Sequence, residues 1–317
     1  MNIDELLSAL ADKGFHSGED LAKRFSISRA AISKWISKLR MAGYDIHSVP
    51  GKGYCFAPYV RPLESSKIEQ ALLNHVQVIL TAETDSTNED VKRAFRANQT
   101  TLPILATTEK QTIGRGRRGR VWHSPYAQNI YLSLGLKLDV AISELSGLSI
   151  VIGLAVADLL QQQGLPVQLK WPNDIYLEGK KLGGILVELE GAFEPPCNVI
   201  IGLGLNVNMP RQSQEIDQPW QSLSEFQGQI IDRTELVIQL FKQLTTYISQ
   251  FCENGMADFV VKWPAYDLYH HQSVQLISGE QVKTGINMGI NHQGGLVMQV
   301  GNEEQSFNGG EVSLRPL

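Results

Sequence analysis

The feature that most constrains this chain is a short segment, residues 114–120, in which four arginines alternate with three glycines. Glycine lets the backbone adopt positive φ and come close to a ligand. Arginine presents a planar fork of donors that matches a carboxylate or a phosphate. An exposed basic loop is the alternative, but such a loop needs no regularly spaced glycines, and the nearby Trp122 and Pro125 indicate a packed segment. The sequence therefore predicts a loop that wraps an anionic ligand.

Two nucleotide-binding patterns also match this segment, and neither fits its surroundings. Gly114, Gly116 and Gly119 satisfy G-x-G-x-x-G, yet a dinucleotide fingerprint opens a helix, whereas residues 129–136 have the apolar pattern of a strand. Adding Val121 completes the protein-kinase glycine-loop pattern, but the chain contains no His-Arg-Asp, no Asp-Phe-Gly and no Gly-Lys-Ser/Thr. Both matches are accidental, and the arginines carry the signal.

The charge of the chain is unevenly distributed. The 317 residues carry a net charge of −5 and suffice for two or three domains. Residues 1–62 contain nine Lys/Arg and six Asp/Glu, whereas the remainder contains 19 and 27. A mildly basic N-terminal segment ahead of an acidic body indicates different partners for the two parts.

The cysteines and the N-terminus indicate a cytoplasmic protein. Cys55, Cys197 and Cys252 are far apart and include no C-x-x-C, which disfavours a disulfide framework or a zinc site. The N-terminus lacks the order of a signal peptide. The longest apolar run, residues 148–157, is too short to cross a bilayer. We expect no membrane association and no dedicated metal site.

The N-terminal segment has the pattern of a winged helix-turn-helix. A third helix starts at Ser28 and has a basic, hydroxyl-rich face opposite its apolar one. Residues 49–56 form a glycine-containing hairpin with a basic tip, typical of a wing. A helical domain for protein contacts is the alternative, and the wing and local charge favour DNA. The predicted DNA-binding residues are Arg29, Ser33, Lys34 and Lys52.

A run of short polar residues lies between a predicted strand at 76–80 and a predicted helix at 89–95. Ser86, Thr87 and Asn88 are typical N-caps, and capping alone accounts for Ser86. Three in succession exceed the need of one cap and are suited to hydrogen-bond a small polar ligand. From these residues alone, both interpretations have equal weight.

The rest of the chain predicts a mixed α and β architecture. Lys181 lies beside two glycines in a predicted hairpin, where taken alone a solvated lysine is more common than a catalytic one. Residues 210–222, with Trp220, are polar and irregular, as in a mobile loop. Further elements are predicted as helices at 141–162 and 236–251, strands at 181–188 and 199–207, and a small β-barrel from strands at 273–277, 282–288, 296–300 and near 312.

Taken together, these motifs resemble the family of bifunctional biotin–protein ligases that also repress the biotin operon. The resemblance covers essentially the whole chain, and lipoate-type ligases are a poorer match because their arginine signature differs. The motifs, in family order, are Asp85 to Asn88, Gln111, Gly114 to Gly119, Trp122, Ser124-Pro125, Lys170 to Asp174, Lys181 to Glu188 and Gly202 to Asn206.

The resemblance implies a multi-domain α/β protein. Residues 1–62 are then the winged helix-turn-helix, and residues 63–266 are an α+β ligase domain with a class II synthetase-like mixed sheet. Residues 267–317 are an SH3-like β-barrel.

The resemblance also implies a two-step reaction. Biotin and Mg²⁺-bound ATP give biotinyl-5′-AMP, and the biotinyl group then passes to a lysine of the biotin carboxyl carrier protein of acetyl-CoA carboxylase. Tyr131 and Trp122 are implied as apolar walls. Implied catalytic residues are Lys181, Arg115 and Arg117. Implied biotin-binding residues are Ser86, Thr87, Asn88, Gln111, Arg115, Gly116, Arg117 and Lys181. Implied ATP-binding residues are Arg117, Arg118, Arg120, Asn173, Asp174, Asn206 and Trp220.

A second implied function is repression. Biotinyl-5′-AMP acts as corepressor when it orders the loops and favours a homodimer, whose two winged helices bind operator DNA of the biotin operon. A biotin sensor without turnover is the alternative, and a lipoate-type protein ligase is a weaker one. Intact Arg115, Arg117 and Lys181 favour the ligase, since a pure sensor is free to lose these cations.

Overall fold

The computed structural model describes residues 3–12, 14–97, 102–190, 196–211, 216–309 and 312–317. Its N-terminal part is a winged helix-turn-helix, as predicted. The Ser17 and Ser28 hydroxyls cap the second and third helices by accepting from the backbone N–H groups of Asp20 and Ala31. The elements are α1 (Ile3–Leu10), α2 (Gly18–Arg24), α3 (Arg29–Met41), β1 (Ile46–Val49) and β2 (Gly53–Phe56).

The N-terminal core extends into the next part of the chain. The apolar faces of α1 and α3 pack together through residues such as Leu10, Ile32 and Ile36, all almost fully buried. Tyr126 and Ala127, which lie well outside the helix-turn-helix, belong to the same cluster. The N-terminal domain is therefore packed against the central one in this structure.

The central part is a seven-stranded mixed sheet, in agreement with the predicted class. Its order is β3-β4-β5-β9-β8-β7-β6, in which β3 and β4 are parallel and every other neighbouring pair is antiparallel. The strands are β3 (Gln77–Thr81), β4 (Ile104–Thr108), β5 (Ile130–Leu138), β6 (Val167–Lys170), β7 (Asp174–Leu177), β8 (Lys180–Glu190) and β9 (Cys197–Leu205).

Helices cover the two faces of this sheet unequally. The helix α5 packs on one face near β4 and β9, whereas α6 and α8 pack together over the other face in the largest core cluster. The part of the first face that α5 leaves uncovered is the floor of a cleft. The helices are α4 (Ser65–Ala71), α5 (Thr87–Arg96), α6 (Leu148–Gln162), α7 (Leu223–Gln227), α8 (Arg233–Asn254) and α9 (Ala257–Lys262).

The predicted start of α6 was wrong. The helix begins at Leu148 rather than near residue 141, because a separate 3₁₀ turn, Ile142–Leu145, precedes it. Gly147 between them has φ 89°, and a Cβ built there would lie 2.7 Å from Met256 Sδ. A left-handed glycine therefore breaks what the apolar pattern presents as one continuous helix.

The C-terminal part is an antiparallel five-stranded sheet with the order β13-β12-β11-β10-β14. Four strands were predicted, and β13 was missed because its sequence, EEQSF, has little apolar alternation. Within the described residues no pairing joins β13 to β14, so an antiparallel sheet is established and the SH3-like barrel stays a prediction. The strands are β10 (Ser273–Ser278), β11 (Gln281–Ile290), β12 (Leu296–Val300), β13 (Glu303–Phe307) and β14 (Val312–Pro316).

Three further predictions concern the domain bounds, the loop at 210–222 and the absence of membrane association. The bounds 1–62, 63–266 and 267–317 stay a prediction, since one apolar cluster runs through the central and C-terminal sheets. Of the predicted loop at 210–222, residues 212–215 lie outside the described part of the chain. Across that described part, no helix has the length and apolar character needed to cross a membrane.

Candidate active site and DNA-binding surface

A cleft of about 430 Å³ lies on the sheet face opposite α6 and α8. Its floor carries no side chains at Gly184, Gly202 and Gly204, which occupy neighbouring positions of β8 and β9. The indole of Trp122 lies on Gly204, where an added Cβ would come within 2.4 Å of the ring. The missing side chains therefore leave room for Trp122 and for a ligand beside it.

At one end of the cleft, the start of α5 presents its polar residues to the interior. Ser86, Thr87 and Asn88 line the cleft and are at most 5% exposed. Ser86 occupies the N-cap position but makes no capping hydrogen bond, and Asp85 Oδ1 instead accepts from its backbone N–H at 2.7 Å. Capping therefore does not account for the Ser86 side chain.

Gln111 holds the same end of the cleft together. Its Oε1 accepts from the backbone N–H of Thr87 at 3.0 Å and lies 3.2 Å from the Thr87 hydroxyl. Its Nε2 donates to Ser124 Oγ at 3.2 Å. These bonds join α5 to the segment that leads into the arginine loop.

Two polar residues absent from the predicted site extend this network. Ser133 Oγ lies 2.7 Å from Thr87 Oγ1 and 2.5 Å from Asn88 Oδ1, and Glu188 Oε2 accepts from Asn88 Nδ2 at 2.6 Å. A signal for Ser133 exists in the sequence, since it is the one serine within the apolar stretch of β5. Nothing in the local sequence around Glu188 points to this contact.

The cleft is strongly cationic although the chain is acidic. Its described lining includes seven basic and two acidic side chains, so it attracts anions despite the net charge of −5. The basic residues are Arg115, Arg117, Arg118, Arg120, Lys170, Lys181 and Arg315, and the acids are Asp174 and Asp217.

The arginine segment is an ordered loop closed by its own backbone. The Gly116 N–H donates to Arg120 O at 2.7 Å, and the Trp122 N–H donates to Gly114 O at 2.9 Å. Arg118 adopts φ 61° at the turn. The loop places its four arginines in the lining of the cleft, and its wrapping of an anionic ligand stays a prediction.

Arg117 bridges the loop, the central sheet and the C-terminal part. Its Nη1 donates to Asn173 Oδ1 at 2.9 Å, and its Nη2 donates to the Gly309 carbonyl. Burial lowers the pKa of its guanidinium, which nevertheless stays charged because arginine titrates far above neutral pH.

Lys181 is held inside the cleft and is not a solvated hairpin lysine. Its Nζ lies 2.6 Å from Asp174 Oδ1, and its side chain is 13% exposed. The ammonium is 5.9 Å from the centre of the Trp122 ring. Its backbone pairs with the segment 219–221, which lies along β8.

Lys170 is a cleft cation that the predicted residue set omitted, although the Lys170 to Asp174 motif contains it. Burial lowers the pKa of its ammonium, although the Asp174 charge opposes the shift. Its Nζ donates to the Tyr176 hydroxyl at 3.3 Å. The partly buried side chain lies in the lining of the cleft.

Three residues expected at the site lie outside the described lining. The Asn206 amide donates to Gln221 O at 3.3 Å, and the Tyr131 hydroxyl donates to Pro125 O at 2.8 Å. Trp220 is half-buried in the segment paired with Lys181. Their roles at the site therefore stay a prediction.

The winged helix presents a separate basic surface. Arg29, Ser33 and Lys34 are exposed on α3, which contains no acidic residue. Lys52, at the tip between β1 and β2, lies over the Phe15 ring at 5.4 Å. A helix face with this composition suits a DNA groove, where lysines also contact the flanking phosphates, and the tip suits a phosphate.

Comparison with known proteins gives the same three-part order. Residues 3–55 match the HTH domain family, residues 80–206 the Biotin/lipoate A/B protein ligase family, and residues 270–315 the Biotin protein ligase C terminal domain. The bifunctional ligase/repressor BirA of Salmonella typhimurium is 38% identical over 98% of this chain and 96% of its own. That of Escherichia coli is 37% identical over the same shares.

The chain belongs to the BirA family of bifunctional ligase/repressors. A solved structure of a biotin protein ligase from Aquifex aeolicus, in complex with biotin and ATP, is 31% identical with a TM-score of 0.66. It matches 76% of this chain and 99% of its own. Family membership thus accounts for both surfaces, since the helix-turn-helix and the ligase domain each match a family of their own.

Proposed function

We propose that this chain activates biotin with ATP and transfers it to a lysine of the biotin carboxyl carrier protein of acetyl-CoA carboxylase. The observation that carries the proposal is the joining, in one cleft, of a buried polar pocket at α5 with a lining of seven basic side chains. Biotin has a polar ureido group at one end and a carboxylate at the other. The pocket suits the first, and the cations suit the carboxylate and the phosphates of ATP.

The first step joins two anions. A biotin carboxylate oxygen forms a bond to the α-phosphorus of ATP, the bond to the β-phosphate oxygen breaks, and pyrophosphate leaves. Lys181 donates from Nζ to the reacting carboxylate and α-phosphate oxygens, where negative charge increases. Asp174 holds that ammonium in place at 2.6 Å. Mg²⁺ enters bound to the phosphates of ATP, as part of the substrate.

The remaining arginines hold the polyphosphate. Arg117, kept in position by Asn173 at 2.9 Å, faces the α- and β-phosphates, and Arg118 and Arg120 lie further out on the loop. Asn206 and Trp220 support the 217–221 wall, which covers the nucleotide. Each of these roles neutralises or encloses charge that water otherwise solvates.

The donors and acceptors of the polar pocket complement those of the ureido ring of biotin. Glu188 accepts one of the two Asn88 amide protons, and Ser133 lies against the Asn88 carbonyl oxygen, so that oxygen faces the network. Thr87 and Ser133 each have one hydroxyl proton to donate. The oxygens of the pocket that can accept a hydrogen bond outnumber these two protons. The pocket therefore has surplus acceptors for two ureido N–H groups, and the uncommitted Ser86 hydroxyl suits the ureido carbonyl.

The second step needs no covalent enzyme intermediate. The carrier lysine, as a neutral amine, attacks the acyl carbon of biotinyl-5′-AMP. The bond from that carbon to the phosphate oxygen breaks, AMP leaves, and the amine loses a proton to solvent. The cations that stabilised the first transition state also stabilise the departing AMP.

We propose that the same adenylate controls the DNA-binding surface. Biotinyl-5′-AMP stabilises a homodimer, and two copies of α3 then contact the operator of the biotin operon. The exposed basic face of α3 favours this second function. In this proposal, residues 1–62 bind DNA, residues 63–266 carry out the chemistry, and residues 267–317, as an SH3-like barrel, complete the cleft through Arg315.

The test is transfer to a carrier domain. Purified protein is mixed with biotin, Mg²⁺-ATP and a biotin carboxyl carrier domain, and the carrier is weighed by mass spectrometry. We expect a gain of one biotinyl group, and a loss of adenylate formation of about a hundredfold or more in Lys181→Ala. Lys180→Ala, on the same strand, is the matched control.

Other outcomes select the alternatives. Bound biotinyl-5′-AMP without transfer to the carrier would indicate a sensor. Activity with lipoate in place of biotin would replace the substrate assignment with that of a lipoate-type ligase.

A further inference from the structure

Four charged side chains form a cluster behind the polar pocket. Lys92 Nζ lies 2.9 Å from Glu89 Oε1 and 3.1 Å from Glu188 Oε1. Arg115 Nη2 lies 2.5 Å from Glu89 Oε1 and 3.7 Å from Glu188 Oε2. The two acids and two bases balance, so the cluster adds no net charge to the cleft. Its members come from α5, β8 and the arginine loop, which are three separate walls of the site.

Glu188 also determines which way the Asn88 amide points. A carboxylate only accepts hydrogen bonds, so the contact at 2.6 Å places the amide nitrogen of Asn88 on Glu188. The amide oxygen must then face Ser133, 2.5 Å away. Without the carboxylate, the amide is free to flip and present two donors to a pocket whose ligand is itself rich in donors.

The floor of the sheet is adapted to this arrangement. Any Cβ at Gly202 would lie 2.5 Å from Asn88 Oδ1. Glycine at this position therefore leaves the space that the Asn88 carbonyl occupies, and the 4% exposure of Asn88 keeps water away from it. The orientation of a buried amide is consequently decided by protein partners rather than by solvent.

The same carboxylate lies near the base of the arginine loop. The Arg115 side chain points to α5 and β8 and away from the basic side chains around Lys181. Although burial by itself raises the pKa of Glu89, hydrogen bonds from Lys92 and Arg115 outweigh it and lower that pKa. Glu89 therefore stays ionised at neutral pH, and its pairing with Arg115 fastens the loop to the pocket at its first arginine.

We propose that Glu188 is a positioning residue for biotin, which orients the Asn88 carbonyl toward the ureido group and, with Glu89, anchors the arginine loop through Arg115. The proposal rests on the proposed function and assigns the Arg115 side chain to holding the loop rather than to the phosphates. Because Arg115 lies closer to Glu89 (2.5 Å) than to Glu188 (3.7 Å), the loop stays anchored when Glu188 alone is removed. The proposal therefore predicts that Glu188 acts on biotin affinity and not on the chemistry at the α-phosphate.

The first test separates the KM for biotin from the other kinetic constants. In Glu188→Ala we expect the KM for biotin to rise about tenfold or more, as expected when a buried amide loses its partner. The KM for ATP and the kcat at saturating biotin should stay within about twofold of wild type. The matched control is Glu190→Gln, on the same strand, which removes an ion pair to Arg96 at 2.7 Å without touching Asn88.

A reciprocal exchange tests the polarity of the contact and guards against a variant that folds poorly. Asn88→Asp alone places two carboxylates together, and the KM for biotin should rise as in Glu188→Ala. Adding Glu188→Gln restores a hydrogen bond, because the new amide at position 188 donates to the new carboxylate at position 88. The second oxygen of that carboxylate still faces Ser133, so the double variant should recover most of the affinity for biotin.

Two results would overturn the proposal. One is an unchanged KM for biotin in Glu188→Ala. The other is a rise in the KM for ATP and a fall in kcat that are as large as the rise in the KM for biotin. Failure of this proposal differs from failure of the proposed function, because the wild-type protein then still biotinylates the carrier.

Discussion

Two glycines of the arginine segment face different surroundings. A Cβ at Gly114 would lie 2.6 Å from Trp122 O and 2.9 Å from Ser124 Oγ, so only glycine fits the loop there. At Gly116 the backbone is extended, with φ −107°, and the nearest atom to an added Cβ is Arg120 O at 3.6 Å. The protein therefore has room for a Cβ at Gly116, and we infer that the small size of this residue serves the close approach of a ligand.

The substitution Gly116→Ala tests this distinction. We expect the free energy of unfolding to change by less than about 0.5 kcal/mol, as for a tolerated surface change. The KM for biotin should rise about tenfold or more, because the methyl group occupies space that the ligand approaches. Denaturant unfolding and steady-state kinetics measure the two effects, and Gly114→Ala should instead lower stability. An unaltered KM in Gly116→Ala would show that the ligand does not approach this backbone.

At the scale of elements, a buried ion pair fastens residues 61–63, which follow the winged helix, to the central part of the chain. Glu109 Oε2 lies 2.8 Å from Arg233 Nη1, and both residues are nearly inaccessible to water. Glu109 also accepts from the Leu63 N–H, while Arg233 Nη1 donates to Arg61 O at 2.5 Å. The pair thus holds this segment by its backbone, between the end of β4 and the start of α8.

We predict that Glu109→Gln is strongly destabilising. The change leaves the Arg233 charge buried without a counter-charge, a loss of about 3–5 kcal/mol in the free energy of unfolding. Glu235→Gln, two residues after Arg233 on the exposed face of α8, is the matched control and should change stability by less than about 0.5 kcal/mol. Urea unfolding of both variants measures the difference, and equal stability of the two would contradict the prediction.

A second carboxylate joins three helical elements. Asp158 of α6 accepts from the Tyr247 and Tyr266 hydroxyls at 2.5 and 2.7 Å and pairs with Lys262 at 3.1 Å. Burial alone raises the pKa of this carboxyl, but these partners outweigh it and lower the pKa. Asp158 therefore stabilises the fold in its ionised form.

The sign of the shift sets the pH dependence. A carboxyl whose folded pKa is depressed contributes stability above its unfolded pKa of about 3.9 and loses it as pH falls through the folded value. The gap in unfolding free energy between wild type and Asp158→Asn should therefore be constant between about pH 5 and 7 and shrink below about pH 4. Urea unfolding across this range measures the gap, and a gap that widens in acid would refute the assignment.

At the scale of the whole molecule, two basic surfaces lie in parts of the chain that have opposite net charge. The cleft gathers cations within an acidic body, whereas the α3 face lies in the mildly basic N-terminal part. We predict that Lys34→Ala weakens DNA binding without base preference and lowers the salt slope by about 0.9 per lost phosphate contact. Binding titrations of operator and unrelated duplexes at several salt concentrations provide the measurement.

Lys67→Ala supplies the control for net charge. Lys67 is 57% exposed in α4, outside the winged helix, and pairs with Glu64. Its removal changes the charge of the chain equally, so the salt slope should stay at the wild-type value. If the two variants behaved alike, overall charge rather than the α3 face would be responsible for DNA binding.

Much of the order of elements could be predicted from the sequence because local signals produced it. The caps at Ser17 and Ser28 and the apolar periodicity of α3 and α8 are short-range properties. Where local and tertiary signals differed, the prediction failed. The start of α6 was misplaced because Gly147 is held left-handed against Met256, a partner more than a hundred residues away.

The sequence by itself determined the chemistry of this protein: the arginine loop, the polar run at α5, the motif lysines and the family to which they belong. Those features lie in contiguous residues, so no fold is needed to see them. The tertiary structure alone decided which groups face one another. Glu188 meets Asn88 across 100 positions and Glu109 meets Arg233 across 124, because sheet register and helix packing, rather than any local propensity, bring such side chains together.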